Sequence, residues 1–411
     1  MPARELQSLE ATPFFGLTAE QLRLRDEVRR FAVAEVAPRA RSLEWEPDIR
    51  RRVDWELVEE ASQRGWRTLG LPREDGGGGA SPLDICVLVE GLAYGDMGFA
   101  VVLDQTLKVQ RIVSELAGSE ARERFLTRFL DDPRCVLAIC FTEPETSSDY
   151  IIPSPTLRFR TRAECLPDGS WRLDGYKRFI SNGADAGFYI VFACTDDTRD
   201  ANEGTSAFLL EPGLPGFEVE TVHEKISQRT INNAALRFDG VVLEPWRLLG
   251  EAHRGYAGAR TILKESVIEA GATTLGTAQA AYDLAVAHAG ERIQGGKRLI
   301  EHANVACRLA DMYAELEAAR SLIWRAAWAV ENDPEYDFRL GSAAKIVAAD
   351  SAVRICLSAL EIFGGLAIMY KDSPVEKCLR DCLSFLHSDG AQDSHRLRIG
   401  DITRTLAEIA R

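Results

Sequence analysis

The spacing of apolar residues divides the chain into three stretches with different periods. Up to about residue 130, apolar residues recur every three to four positions, as they do in amphipathic α-helices. From about 135 to 245 the period falls to two, which is typical of β-strands. The helical period then returns in long segments. The pattern predicts an all-helical N-terminal part over 1–133, a β part over 134–250 and a C-terminal helical part over 251–411.

The first part contains recognisable helix boundaries. Thr18 and Gln21 have the spacing of a capping box, so a helix is predicted to begin there, and Pro38 is expected to end it. The four glycines 76–79 are interpreted as a turn and not as a phosphate loop, because no Lys-Ser/Thr pair follows them.

The middle part is predicted to be a small β-barrel or a pair of packed sheets inserted into a helical protein. Alternating residues indicate strands at 156–160, 188–192 and 217–220. Asp168-Gly169 and Asp174-Gly175 are predicted to form the turns between strands.

The C-terminal part is predicted to be a four-helix bundle with one further helix. Its predicted helices span 259–288, 299–330, 338–363 and 375–386, and a last one starts at Asp401. Their apolar faces are wide and rich in alanine, which favours close helix packing or burial against another subunit.

Composition narrows the class of protein. Hydrophobic residues make up 46% of the 411 residues, and the net charge of −14 argues against nucleic acid as a partner. The nine cysteines form no CxxC pair, so neither a metal site nor a disulfide framework is predicted, and a reducing cytoplasm is expected. No apolar run approaches the roughly 20 residues of a membrane span, and the N-terminus lacks the order of a signal peptide.

One carboxylate stands out near the C-terminus. Asp389-Gly390 follows the predicted helix 375–386, where a glycine lets another backbone approach closely. Taken alone, an Asp-Gly pair is more often a solvated loop aspartate than a reactive group.

Four motifs occur in one order along the chain. They are 141–149 (FTEPETSSD), 174–183 (DGYKRFISNG), 291–297 (ERIQGGK), and 363–365 (FGG) followed by 374–376 (PVE) and 380–381 (RD). Together they resemble the acyl-CoA dehydrogenase family over almost the whole chain, from about residue 18 to 410. The resemblance implies that family's fold, an FAD cofactor and the α,β-dehydrogenation of an acyl thioester.

The resemblance implies a set of residues around the flavin ring. Phe141 and Thr142 belong to the segment that contacts the flavin in the family, and Ser148 matches a serine near flavin and substrate. Phe179 stands where an aromatic residue packs against the ring, and Ser181 where a hydroxyl reaches the ring near N5. Stacking and hydrogen bonding of this kind hold and tune a flavin.

The resemblance also implies residues at the rest of the cofactor. Arg292 matches an arginine that reaches the FAD pyrophosphate, and Gln294 lies in the same motif. Gly364-Gly365 would let the pyrophosphate of a neighbouring subunit's FAD approach backbone amides. Glu361 replaces a family glutamine, and Ala391 replaces a family threonine. No GxGxxG motif follows a strand, so FAD is expected to bind without a Rossmann fold.

In the implied reaction a carboxylate removes the α-proton while the β-hydrogen leaves as hydride to flavin N5. The usual family base is a glutamate before a glycine, and Asp389-Gly390 holds that position with a side chain one methylene shorter. Gly390 and Arg396 are predicted to act with the substrate. Glu265, near a second family position for the base, is the weaker candidate.

Several partners and alternatives stay open. The thioester carrier is expected to be CoA, with an acyl-carrier protein as the alternative, and the family's usual electron acceptor is an electron-transfer flavoprotein. A homotetramer, or at least a dimer, is expected. The aspartate also resembles that of nitroalkane oxidases, and a catalytically silent partner subunit is the third hypothesis.

Overall fold

The computed structural model describes residues 16–147, 156–369 and 371–409. The N-terminal part is helical, as predicted. Its helices are α1 (Ala19–Phe31), α2 (Ala37–Leu43), α3 (Trp55–Gln63), α4 (Pro82–Gly95), α5 (Met97–Leu116) and α6 (Ser119–Asp131). The capping box at the start of α1 is confirmed, because the Thr18 hydroxyl accepts from the Gln21 N–H and the Gln21 side chain accepts from the Thr18 N–H.

The predicted helix end at Pro38 is wrong. A π-helical turn, Ala32–Val36, joins α1 to α2, and the chain stays helical to Leu43. The wider hydrogen-bond spacing of the π turn places Pro38 in the first turn of α2, where a missing N–H costs little.

The β part is one hydrogen-bonded sheet among the described residues. Its strands are β1 (Leu137–Cys140), β2 (Arg162–Cys165), β3 (Trp171–Ser181), β4 (Phe188–Cys194), β5 (Thr205–Leu210), β6 (Phe217–Val222), β7 (Asn233–Leu243) and β8 (Leu248–Leu249), with the short helix α7 (Ala201–Gly204) before β5. The strand order is β6-β7-β3-β2-β4-β5-β8, and β1 pairs in parallel with β4. Every residue of β4 is buried, so this strand lies in the middle of the core.

Two local predictions in the β part are wrong. Residues 156–160 form no strand, because the N–H groups of Arg160 and Thr161 donate to the Glu143 carboxylate at 2.6 and 3.1 Å instead of to a neighbouring strand. Asp174-Gly175 is no turn, because β3 continues through it with a bulge. Gly175 has φ +152°, and a Cβ there would lie 2.6 Å from the Cα of Thr161.

The C-terminal part is the predicted helical bundle. It contains α8 (Gly255–Glu291), a hairpin of β9 (Ile293–Gln294) and β10 (Lys297–Arg298), α9 (Ala303–Asn332), α10 (Phe338–Phe363), α11 (Val375–Ser384) and α12 (Gln392–Ile409). The predicted start of the last helix at Asp401 is wrong by nine residues. The Gln392 side chain anchors an earlier start by donating to Ile346 O at 3.1 Å and to Asp350 at 2.8 Å.

Small residues bring the long helices together. Gly276 on α8 lies so close to α4 that a Cβ would stand 2.1 Å from the carbonyl oxygen of Glu90. By length and composition alone, residues 338–368 could cross a membrane. However, α10 buries Ala344, Ala348 and Ala352 within the bundle core, and a core helix of this kind passes the same test.

A buried ionic junction joins the three parts of the chain. Lys377 of α11 lies 2.7 Å from Asp96, the N-cap of α5, and also pairs with Asp381. The Asp381 carboxylate accepts from the Gln228 N–H of the β part at 2.6 Å. Glu44, which is 2% exposed, pairs with Arg380.

Candidate active site

A cavity of about 480 Å³ opens where the sheet meets α5 and the loop after α11. One wall carries Phe141 and Thr142 after β1 and the Phe179–Ser181 end of β3. The loop that ends in Asp389 and Gly390 lines the same cavity. The volume lies within the range of small-molecule and cofactor sites.

Asp389 is held by one of its two carboxylate oxygens. Its side chain is 15% exposed, and Oδ1 lies 3.3 Å from the Lys108 ammonium of α5. The Ser266 hydroxyl of α8 donates to the same oxygen at 3.3 Å. Both of these hydrogen bonds go to Oδ1, and Asp389 is one of the residues that line the cavity.

Side chains of α10 and α12 hold the backbone of this loop. Asp389 and Gly390 have φ of +50° and +86°, and the left-handed conformation costs about 1–2 kcal/mol at a non-glycine residue. The Asp389 carbonyl lies 2.9 Å from His395 Nε2, and Lys345 Nζ donates to the Gly390 carbonyl at 2.7 Å. Burial lowers the pKa of His395 to about 4 and that of Lys345 to about 8.

Buried charges fill the space behind Asp389. Lys108 Nζ lies 2.6 Å from Asp104, and burial raises the pKa of Asp104 although Lys108 opposes the shift. Burial also acts to lower the pKa of Lys108, but the neighbouring carboxylates outweigh it and raise that pKa. Glu265, the weaker candidate for the base, is paired with Arg111 at 2.6 Å.

The end of β3 presents an aromatic ring and a hydroxyl to the cavity. Phe179, with φ +59°, leaves half of its side chain exposed. The Asn233 amide donates to the Phe179 carbonyl at 2.9 Å and to the Ser181 hydroxyl at 3.1 Å, and its oxygen accepts from Lys225 at 2.5 Å. Because the Ser181 oxygen already accepts a hydrogen bond, its own O–H is available as a donor. Burial lowers the pKa of Lys225 to about 7.

Glu143, within the motif 141–149, supports the wall from inside. The Glu143 and Lys177 side chains are fully buried and pair at 2.7 Å, and Lys177 also donates to the Phe141 carbonyl at 3.1 Å. Phe141 stacks on Phe192 with ring centroids 4.0 Å apart. The network fixes the backbone on which Thr142 stands.

The other predicted residues near the loop differ in position. Ser148 lies outside the described residues. Ala391 follows Gly390 on the same loop. Arg396 is not among the described residues that line the cavity, and it pairs with Asp350 at 2.6 Å and Asp393 at 3.1 Å.

A second group of predicted residues lies at one end of the bundle and not in the cavity. The His288 ring of α8 stacks on Phe363 of α10 with centroids 4.2 Å apart, so the ends of these two helices meet. Arg292 and Gln294 follow α8, whereas Glu361 and Gly364–Gly365 end α10. Glu361 pairs with Arg308, and this pairing offsets its negative charge.

Motif reasoning missed the residues behind the base. Asp104 and Lys108 are spaced i, i+4 in a helix that begins with an apolar run, and this spacing brings opposite charges together on one face. No comparable signal pointed to Lys345, His395 or Asn233, because their contacts depend on distant segments.

Comparisons with known proteins agree with the geometry. Three family models match, described as the acyl-CoA dehydrogenase N-terminal domain (residues 18–132), middle domain (138–241) and C-terminal domain (253–403). The acyl-CoA dehydrogenase of Bacillus subtilis (strain 168) is 31% identical over 383 residues, which are 93% of this chain and 97% of that protein. A short-chain-specific acyl-CoA dehydrogenase of Megasphaera elsdenii is 33% identical over 340 residues, covering 82% and 86% of the two chains. The structure of butyryl-CoA dehydrogenase from Megasphaera elsdenii superposes with a TM-score of 0.86 at 29% identity, covering 94% of this chain and 99% of that one.

Proposed function

Because the chain belongs to the acyl-CoA dehydrogenase family, we propose that Asp389 is the base that removes the α-proton of its substrate. Membership makes the chain an FAD-dependent oxidoreductase acting on the CH–CH bond of an acyl-CoA. The proposal is supported above all by one observation: a partly buried carboxylate, a half-exposed aromatic ring and a hydroxyl line one cavity.

The residues present fit FAD. The Phe179 ring is half-exposed, with the Arg178 guanidinium 4.1 Å from its centroid, and its exposed part suits stacking on an isoalloxazine. The Ser181 O–H and Thr142 suit the polar edge of that ring system. When bound there, the flavin supplies the acceptor for the hydride that leaves the β-carbon.

Residues of the chain are proposed to remove the substrate's α-proton. Oδ2 of Asp389 accepts the α-proton, while Lys108 and Ser266 keep Oδ1 directed away from the cavity. Phe385 and Val101 line the cavity beside the base, and their apolar surface excludes water from the reacting carbons. Gly390 is proposed to let the substrate approach the loop backbone.

The remaining residues are proposed to serve the rest of the cofactor and the assembly. Arg292, Gln294 and Gly364–Gly365 lie at the bundle end, outside the cavity, which supports contact with the pyrophosphate of a neighbouring subunit's FAD. Exposed apolar side chains next to them, Ile293 and Ile368, support an interface between copies of the chain. A homotetramer, an electron-transfer flavoprotein as acceptor and a cytoplasmic location stay predictions, as do the roles of Ser148, Glu361, Ala391 and Arg396.

Asp389→Asn tests the base. The variant keeps the size of the side chain and is expected to slow anaerobic flavin bleaching by acyl-CoA by about 10²–10⁴-fold, because the proton has no acceptor. Asp393→Asn is the matched control, since Asp393 lies on the same segment with its side chain 89% exposed. An Asp389→Asn variant that bleaches at the parental rate would refute the assignment.

The substrate panel decides between the two flavoenzyme hypotheses. Acyl-CoA thioesters of different lengths are added anaerobically, and a nitroalkane is added with oxygen consumption as the readout. Bleaching by a thioester that depends on Asp389 supports the proposed function. Oxygen consumption with the nitroalkane alone would instead favour the nitroalkane oxidase hypothesis.

A further inference from the structure

Two charged residues, Asp104 and Lys108, are buried one helical turn apart in α5. Asp104 is fully buried and Lys108 is 3% exposed. An isolated buried ion pair gains little over an apolar pair, because both charges lose their hydration. A third group next to them therefore needs to be considered, and that group is Asp389.

Lys108 lies between two carboxylates. Its ammonium is 2.6 Å from Asp104 Oδ2 and 3.3 Å from Asp389 Oδ1. Among the described residues, neither Asp104 oxygen has a hydrogen-bond partner, and the Lys108 ammonium is the cation in contact with this carboxylate. Since Asp104 is the closer partner, it takes up part of the positive charge that Asp389 would otherwise experience.

Other charges around Asp389 are already paired or lie farther along the packed helices. Arg111 of α5 is neutralised by Glu265 and Glu269 of α8. Lys345 of α10 and His395 of α12 contact the loop backbone and not the carboxylate. The titratable residues that line the cavity around the base are His223, Glu224, Lys225 and His387. Lys108 is thus the cation in direct contact with the carboxylate among the described residues.

On the basis of the role proposed above for Asp389, we propose that Lys108 is its positioning residue and that Asp104 sets the strength of that contact. Lys108 holds Oδ1 towards α5 and α8, so that Oδ2 of this short side chain stays directed into the cavity. Asp104 competes with Asp389 for Lys108, so removing either Lys108 or Asp104 changes the charge that acts on the Asp389 carboxylate.

Two substitutions with opposite expected effects test this. Lys108→Met removes the cation, so the acidic limb of the pH profile of kcat/KM is expected to move to higher pH by about one to three units. The rate of flavin reduction is expected to fall about 10²-fold, because the base loses its fixed orientation. Asp104→Asn removes the competing carboxylate, so that Lys108 interacts with Asp389 alone. The acidic limb of the pH profile of kcat/KM is therefore expected to move to lower pH.

The controls separate positioning from stability. Lys108→Arg keeps a cation at this position and is expected to restore the parental limb, and FAD content shows that each variant is folded. Should Lys108→Met fail to fold, Asp104→Asn carries the test, because it changes a charge without changing shape. An unmoved acidic limb in Asp104→Asn, or shifts of both variants in the same direction, would overturn the inference.

Failure here is distinguishable from failure of the proposed base. If Asp389→Asn retains the parental rate, the base itself is wrong. If Asp389→Asn is inactive and the acidic limb is unmoved in Lys108→Met and Asp104→Asn, the base stands and only the roles of Lys108 and Asp104 are rejected.

Discussion

Replacing Lys177 by Met is expected to destabilise the protein strongly. The substitution removes the partner of Glu143 where both side chains are 0% exposed. Breaking a buried pair by removing one member typically costs about 3–5 kcal/mol, because the other charge stays buried without compensation. Glu143 keeps two backbone donors, Arg160 and Thr161, so the lower half of that range, about 3–4 kcal/mol, is expected.

The assay is urea denaturation followed by tryptophan fluorescence, since Trp171 is buried in the same sheet. Arg162→Met is the matched control, because Arg162 pairs with Asp197 at the surface of that sheet with side chains 61% and 56% exposed. Its loss is expected to cost less than about 1 kcal/mol. Combining Lys177→Met with Glu143→Gln is expected to recover part of the loss, because the remaining charge is removed.

Equal effects of the buried and the surface substitution would refute this reasoning. So would a double variant less stable than Lys177→Met, because it would show that the Glu143 charge is not the source of the cost.

Three further predictions concern the loop, the cofactor wall and the thiols. The pKa of His395 is about 4 in the folded chain, against an ordinary value of 6.5. The stabilisation that comes from keeping this imidazole neutral is at most about 3 kcal/mol; it is complete above pH 6.5 and is lost as the pH falls through 4. His395→Gln is therefore expected to flatten the pH dependence of the unfolding free energy between these two pH values. Phe179→Ala is expected to weaken FAD binding by about 0.5–1.5 kcal/mol in addition to the free energy lost with the smaller contact area. Flavin fluorescence on dilution measures the affinity, and an unchanged affinity would argue against stacking. Of the nine cysteines, Cys165 and Cys307 are exposed and the other seven are buried. A thiol reagent is therefore expected to label two cysteines in the native protein and nine in urea. Rapid labelling of a third cysteine in the native protein would contradict the burial.

Sequence periodicity predicted the helical bundle well because its helices are long. The bounds of α10, Phe338–Phe363, were predicted without error, since its apolar residues repeat over seven turns. The early start of α12 was missed because Gln392 is held by polar contacts with α10, 42 to 46 positions away, and such contacts leave no local pattern.

Site residues whose chemistry the function requires could be predicted from the sequence. Residues that only hold the site in place through tertiary contacts could not. Asp389, Phe179 and Ser181 could be placed by motif, and the structure brings them around one cavity. His395 and Lys345 could not, because their role is to hold two carbonyl groups of a left-handed loop, and that loop conformation is not visible in the residue Asp389 itself.

The ionic junction between Glu44, Asp96 and residues 377–381 has a consequence for biosynthesis. Glu44 and Asp96 emerge from the ribosome some three hundred residues before the cations that neutralise them. Until α11 is translated, enclosing these two carboxylates would leave them without counterions, so the N-terminal helices are expected to remain in a loose, hydrated arrangement during translation. A nascent chain released ahead of Lys377 should therefore be a substrate for chaperones or proteases, and not a smaller folded protein.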